Sequence, residues 1–318
     1  MQIINEILRA HFLPGIIGIQ KIPQLTFRGW IAKESFKITS QINNKDFVLN
    51  VYSHEELLLP YAYDINRMAA SSFESIHGIA PDERLPKSVG WLIIRAYYSA
   101  YFSVHAILRL FGISCSQLDS NETRAITDVA SIYSLQNGIT VSNGYYKCLY
   151  NHLDSTITCN KLNNTHQDVW KIFYDFINEM ATKIAHSDFR KIDRDLVIQY
   201  LFKLREGLSY KNTLNGGNWL SKIRNEVNYS HSMGAWYPYK KSLTDHEEMF
   251  RLVKQWKSTP TEDLIDKNIN KSDHLLYIST CVSIVSLCHS LLADLKNLNS
   301  DIFLKHAPIR LINQIEGY

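Results

Sequence analysis

The stretch SVGWLIIRAYYSAYFSVHAILRLFG, residues 88–112, sets the fold class. It follows Pro86, offers Ser88 as a cap and reaches Gly112, which predicts one long helix bounded at both ends. Apolar and aromatic side chains occupy most of its faces. Such a helix is covered on more than one side, so the chain around it must supply several further helices. Helical periodicity does return downstream, at 167–184, 193–209, 218–233, 245–256 and 272–298.

Upstream the pattern differs. LTFRGWIA, SFKITSQI and DFVLNVYS, within residues 24–52, carry β-branched and aromatic residues in short runs separated by AKE and NNK. These are strand and hairpin signals, and they predict about three strands near the N-terminus. Residues 113–165 are rich in Ser, Asn and Thr with weak periodicity, so loops and short helices are expected there, as an insertion. The expected organisation is a small β-containing region over 1–80 and a helical domain over 81–318. The fold class is mainly α, a helical bundle with a small β element.

Bulk composition narrows function only slightly. The 318 residues are 45% hydrophobic and 20% charged, with a net charge of +3. That balance excludes a disordered chain and announces no nucleic-acid binder, although a local basic patch can bind phosphate while acids elsewhere cancel the sum. The five cysteines include no C-x-x-C pair, which argues against a disulfide framework or a zinc knuckle and suits a reducing, cytoplasmic setting. The N-terminus lacks the basic start and unbroken apolar run of a signal peptide. Residues 275–293, LLYISTCVSIVSLCHSLLA, hold no Asp, Glu, Lys or Arg and approach bilayer length. Four serines, a threonine and His289 point instead to a buried central helix, so no membrane attachment is expected.

RNEVNYSH, residues 224–231, lies where a helix begins after Asn218 and can end at Gly234. At 100° per residue, measured from Leu220, Val227 falls at about −20°, His231 at about +20°, Arg224 at about +40° and Asn228 at about +80°. The polar trio borders the apolar stripe. An arginine there must snorkel, find an acid or face a cleft. A histidine there can be neutral near pH 7 and still exchange a proton.

These two stretches resemble the HEPN superfamily (higher eukaryotes and prokaryotes nucleotide-binding domains). IIRAYYSAYFSVHAILRL, residues 93–110, is similar to the first helix of bacterial members. RNEVNYSH fits the family's Arg, four to six residues, His motif at its long limit, with Asn directly after the Arg. The resemblance covers roughly residues 86–298 and implies a metal-independent endoribonuclease working as a homodimer, often a toxin or anti-phage effector. It needs no cofactor and is often matched by a cognate antitoxin or defence partner. By position it makes Arg224 and His231 the catalytic pair and Asn225 the polar residue beside them, with Asn228 and Tyr229 as neighbours. Some toxins of the class carry a tyrosine two residues after the histidine, which a partner enzyme modifies; here that position is Met233, which puts neutralisation by that route in doubt.

The chemistry is consistent with that implication. RNA carries its own nucleophile, the 2′-hydroxyl. Cleavage needs a base, an acid and positive charge on the phosphorane. Histidine suits either proton role, arginine grips phosphate in two places, and a two-fold dimer would supply two of each. The expected arrangement is a polar edge facing a solvent-open groove on the symmetry axis.

Other residues carry weaker expectations. Arg95, amid WLIIRAYYSAYF, is either a paired core arginine or a phosphate contact beside Arg224. Tyr97, Tyr98 and Tyr101 are expected in packing. HSD at 186–188 reads as a helix-end turn, LNGG at 214–217 as a turn, and KIDRD at 191–195 and YKK at 239–241 as solvated surface. The alternative function is a non-catalytic helical module that binds RNA, nucleotide or a protein partner through the same Arg–His edge.

Overall fold

The computed structural model describes residues 2–79, 88–210, 216–230, 234–236, 245–257, 263–299 and 301–306. Within them eleven helices surround and flank one antiparallel sheet of five strands.

The first helices are α1 (Gln2–Arg9), α2 (Phe27–Ala32) and α3 (His54–His77), with strands β1 (Phe36–Lys37) and β2 (Asp46–Val51) between α2 and α3. LTFRGWIA is therefore a helix and not a strand. Thr26 caps it by accepting from the Gly29 amide at 3.0 Å, and Phe27, Trp30 and Ile31 are its buried side chains. Those three sit at i, i+3 and i+4, the spacing of one helical face. α3 begins where the Ser53 hydroxyl accepts from the Glu56 amide.

The stretch that set the fold class is α4 (Gly90–Leu110), buried along nearly its whole length. Ser88 does not cap it; its hydroxyl donates to the Ala235 carbonyl instead. Gly112 takes φ +80°, the left-handed conformation that closes a helix cheaply only in glycine. α3 lies against α4 through small residues. The Ser72 hydroxyl meets the Ser99 carbonyl at 2.8 Å and the Ser103 hydroxyl at 2.7 Å, so the polar atoms at this close contact satisfy one another.

Residues 113–165 are not loops. They form β3 (Ile113–Leu118), α5 (Ser120–Ile132), β4 (Gly144–Asn151) and β5 (Thr156–Lys161). The sheet order is β1-β2-β5-β4-β3, antiparallel throughout. Asp46 to Asn50 of β2 face Asn160 to Thr156 of β5, so the N-terminal strands and those of 113–165 make a single sheet. The polar composition of β5 hides a two-residue alternation, with Ile157 and Cys159 buried and Thr158 and Asn160 exposed.

Then come α6 (Thr165–Ala185), α7 (Lys191–Leu208), α8 (Trp219–Tyr229), α9 (His246–Val253), α10 (Asp263–Asp266) and α11 (Asp273–Leu298). α11 contains the acid- and base-free run. By length and composition it is the one described helix that could cross a membrane, yet it is packed against α4, α7, α9 and α10 as a core helix. α1 is tied to it: Asn5 bonds Ser290 at 2.9 Å, and Arg9 pairs with Asp294.

Candidate functional site

α8 carries the Arg224 motif and packs on α4. Its buried residues are Trp219, Leu220, Ser221, Arg224 and Val227. On the helical wheel this sector runs through Leu220 and Arg224 to Ser221 at about +100°. Trp219 closes the other side of the sector at about −100°, so the covered face spans both sides of the apolar stripe and takes in Arg224, while Ile223 is left half-buried.

Arg224 is consequently not at an open edge. It is 5% exposed within one protomer, which corrects the expectation of a solvent-open groove. The reason lies on α4. The guanidinium carbon sits 5.1 Å from the Tyr97 ring centroid and 5.8 Å from that of Tyr98, so aromatic faces cover the cation. The side chain is nonetheless close to the surface, because Tyr98 and His166 beside it are half-exposed.

Arg224 also lacks the partner a buried cation normally has. Among the described residues no carboxylate forms an ion pair with it; the guanidinium donates to the hydroxyl of Tyr97 and lies close to Tyr98 and Tyr229, all neutral groups at pH 7. Its Nε is buried with no hydrogen-bond acceptor, and so is the hydroxyl of Tyr277, a residue of α11 close enough to feel the arginine's charge. A guanidinium presents five donors and no acceptor, so such a nest attracts an anion.

Tyr97 organises the nest. It is fully buried, and its hydroxyl accepts from Trp170 Nε1 at 2.9 Å and lies 3.0 Å from His166 Nδ1. Burial raises the Tyr97 hydroxyl above its ordinary range. Burial, then the charge of Arg224, lower His166 to about 4, so its imidazole is neutral at pH 7. Below Tyr97 along α4 the ladder continues every four residues. Tyr101 stands 4.7 Å, ring to ring, from both His166 and His105. His105 Nδ1 lies 3.2 Å from Arg109, whose Nε is 3.5 Å from the Asp64 carboxylate of α3. That ion pair is buried, and Asp64 also accepts from Arg67 at 2.8 Å and from the Phe27 amide.

The remaining candidates separate. Asn225 and Tyr229 are exposed, Tyr229 at 70%, while Asn228 is half-buried. His231 and Met233 lie outside the described residues, as do residues 239–241. Arg95 projects from α4 on the side away from Tyr97, about 200° around the helix. It donates to the Gly78 carbonyl at 2.5 Å, at the end of α3, and does not join Arg224. His186 ends α6 as a turn, its Nδ1 2.8 Å from the Thr182 carbonyl. Gly216 and Gly217 have φ of +91° and +67°, in keeping with a turn. Among the described residues no cluster of three His, Cys, Asp or Glu could hold a metal ion.

Sequence reasoning missed His166 and Trp170. Both come from α6, more than fifty positions from the motif, and a histidine in the first turn of an amphipathic helix carries no local signal of chemistry. Comparison with known proteins adds no kinship: no family model, no curated protein and no solved structure matches this chain.

Proposed function

We propose that the protein is a metal-independent endoribonuclease of HEPN type, in which Arg224 engages the scissile phosphate and His231 transfers protons. Its setting would be toxin–antitoxin or anti-phage defence. One observation carries this reading: a buried guanidinium held by aromatic faces, with no acid among the described residues to neutralise it. A buried charge without a counter-charge costs several kcal/mol, and a phosphodiester oxygen would supply the missing partner. Exposed Tyr229 and half-exposed Tyr98 flank the nest and offer faces on which bases can stack. The reaction joins the 2′-oxygen to phosphorus and breaks the bond to the 5′-oxygen, which takes up a proton. Products are a 2′,3′-cyclic phosphate and a 5′-hydroxyl. Two copies meeting at α8 would give each cleft a second histidine and a second arginine.

The test uses purified full chain, RNA and a chelator. Wild-type protein should cut RNA in EDTA and leave cyclic-phosphate ends. His231→Ala and Arg224→Met should each lower the rate at least a hundredfold while the elution volume on gel filtration stays unchanged. Equal cutting by wild type and both variants would assign the activity to a contaminant and end the proposal.

The burial of Arg224 favours a second reading: a helical module that binds RNA, nucleotide or a partner without turnover. It predicts measurable affinity that depends on Arg224, no cleavage, and tolerance of another polar residue at 231.

A further inference from the structure

The nest around Arg224 contains one ring that the motif does not provide. An indole nitrogen can only donate, so at the Trp170 contact the Tyr97 hydroxyl is the acceptor. Its own proton needs a different acceptor; Ser221 also bonds this hydroxyl, but the imidazole Nδ1 of His166, 3.0 Å away, is the stronger base of the two. The imidazole is neutral, because burial and the adjacent guanidinium both oppose a second positive charge. A neutral ring that accepts at Nδ1 carries its hydrogen on Nε2. Among the described residues that nitrogen has no protein acceptor, and it is not among the enclosed polar atoms. His166 therefore presents an N–H outward, beside a fixed cation.

The surrounding charges agree. Asp168, two residues further on, is turned back to its own helix start, where it accepts from the Asn163 and Asn164 amides at 2.8 Å each. Among the described residues the other ionisable groups that meet Arg224 are tyrosines: Tyr97 and Tyr98 from α4, Tyr229 from α8 and Tyr277 from α11. Two neighbouring donors with one net positive charge match a single phosphodiester, which carries one negative charge and two non-bridging oxygens.

We propose that His166 is the second ligand of the phosphodiester held by Arg224, donating from Nε2 to a non-bridging oxygen and orienting the phosphate against the guanidinium. This rests on the reading of Arg224 as a phosphate ligand. It makes His166 a positioning residue, fixed in one tautomer by Tyr97 and through it by Trp170.

The experiment is equilibrium binding of a 2′-O-methylated RNA oligonucleotide with hydroxyl ends, which cannot be cleaved, to the full chain at constant salt. His166→Ala should weaken binding about tenfold or more, the loss of one hydrogen bond to a charged group. His166→Gln, which keeps an N–H donor, should stay within about threefold of wild type. In wild-type protein, imidazole nitrogen NMR should find the hydrogen of His166 on Nε2 and a shift of that resonance as the oligonucleotide is added.

If Arg224→Met weakens binding and His166→Ala does not, the inference falls and the function reading stands. If neither matters, both fall. Equal losses in His166→Ala and His166→Gln, or an Nε2 resonance unmoved at saturation, would mark a merely structural histidine and overturn the inference. Should the variants fail to fold, the wild-type NMR titration decides alone. Binding of inorganic phosphate or a 5′-phosphorylated end, with the hydroxyl-ended oligonucleotide inert, would overturn the assignment to a phosphodiester.

Discussion

At the scale of single residues, Arg224 is best probed by removing its charge while keeping its volume. Replacing a buried charge by a well-packed apolar side chain is often neutral or stabilising by about 1–4 kcal/mol. Arg224→Met is therefore expected to hold or raise the thermal midpoint while RNA binding is lost. A drop in stability above about 1 kcal/mol would mean that the arginine has a structural partner, and the anion-site reading would fail. Tyr97→Phe should act in the opposite sense. It strips the hydroxyl from between Trp170 Nε1 and His166 Nδ1, and leaving the buried indole N–H unpaired costs about 1–3 kcal/mol, readable by urea unfolding. Neither arrangement could be read from the sequence. Helical angles placed Arg224 correctly beside the apolar stripe, but whether that border is wet or dry depends on what lies opposite. Tyr97 and Tyr98 of α4 lie opposite, more than a hundred positions away.

At the scale of elements, the long helices from α4 onward and the N-terminal strands β1 and β2 were legible; the 24-residue α3, within a region expected to be β-containing, and the rest of the sheet were not. α6 and α7 declare themselves because an apolar stripe recurring every three or four residues survives over many turns, and α4 and α11 because their apolar runs are too long for strands. The strands of 113–165 do not, because their outward faces carry Thr, Asn, Lys and Gln, and even inward Ser114 and Ser116 satisfy each other at 2.9 Å. α2 was misread for the converse reason: its aromatics suggested a strand, although their spacing and the Thr26 cap belong to a helix. The polar ladder of α4, Tyr97, Tyr101, His105 and Arg109 four residues apart, was not read from the sequence, and its end point on Asp64 needed the fold. Breaking that end is expected to be expensive. Asp64→Asn leaves Arg109, which is 1% exposed, without its counter-charge, and should cost about 3–5 kcal/mol in denaturant titration. An unchanged midpoint would show that the pair contributes nothing net.

At the scale of the whole molecule, the neutral buried histidines link stability to pH. His166 titrates near 4 when folded and near 6.5 when unfolded, so between those values the unfolded chain binds more protons. Stability is then full above about pH 6.5 and falls as the pH drops toward 4. Since the ring is half-exposed, its share is about 1–2 kcal/mol after allowance for solvent screening. His105, fully enclosed and lowered by burial and then by Arg109, adds to the same slope. Chemical unfolding at pH 7.5 and pH 5 should reveal this loss, and His166→Gln should reduce it. A pH-independent midpoint in wild type would contradict the neutral state assigned to both rings.

The partnership of β2 with β5 has a consequence for biosynthesis. Asp46 bonds Asn160 across 114 positions, and at ribosomal speeds of about 5–20 residues per second that gap takes roughly 6–23 s to translate. Throughout that interval the nascent β2 hairpin edge waits uncovered, open to adventitious strand pairing. Yield of native protein should accordingly depend on elongation rate and chaperone supply more than on the strength of any single contact in the finished molecule.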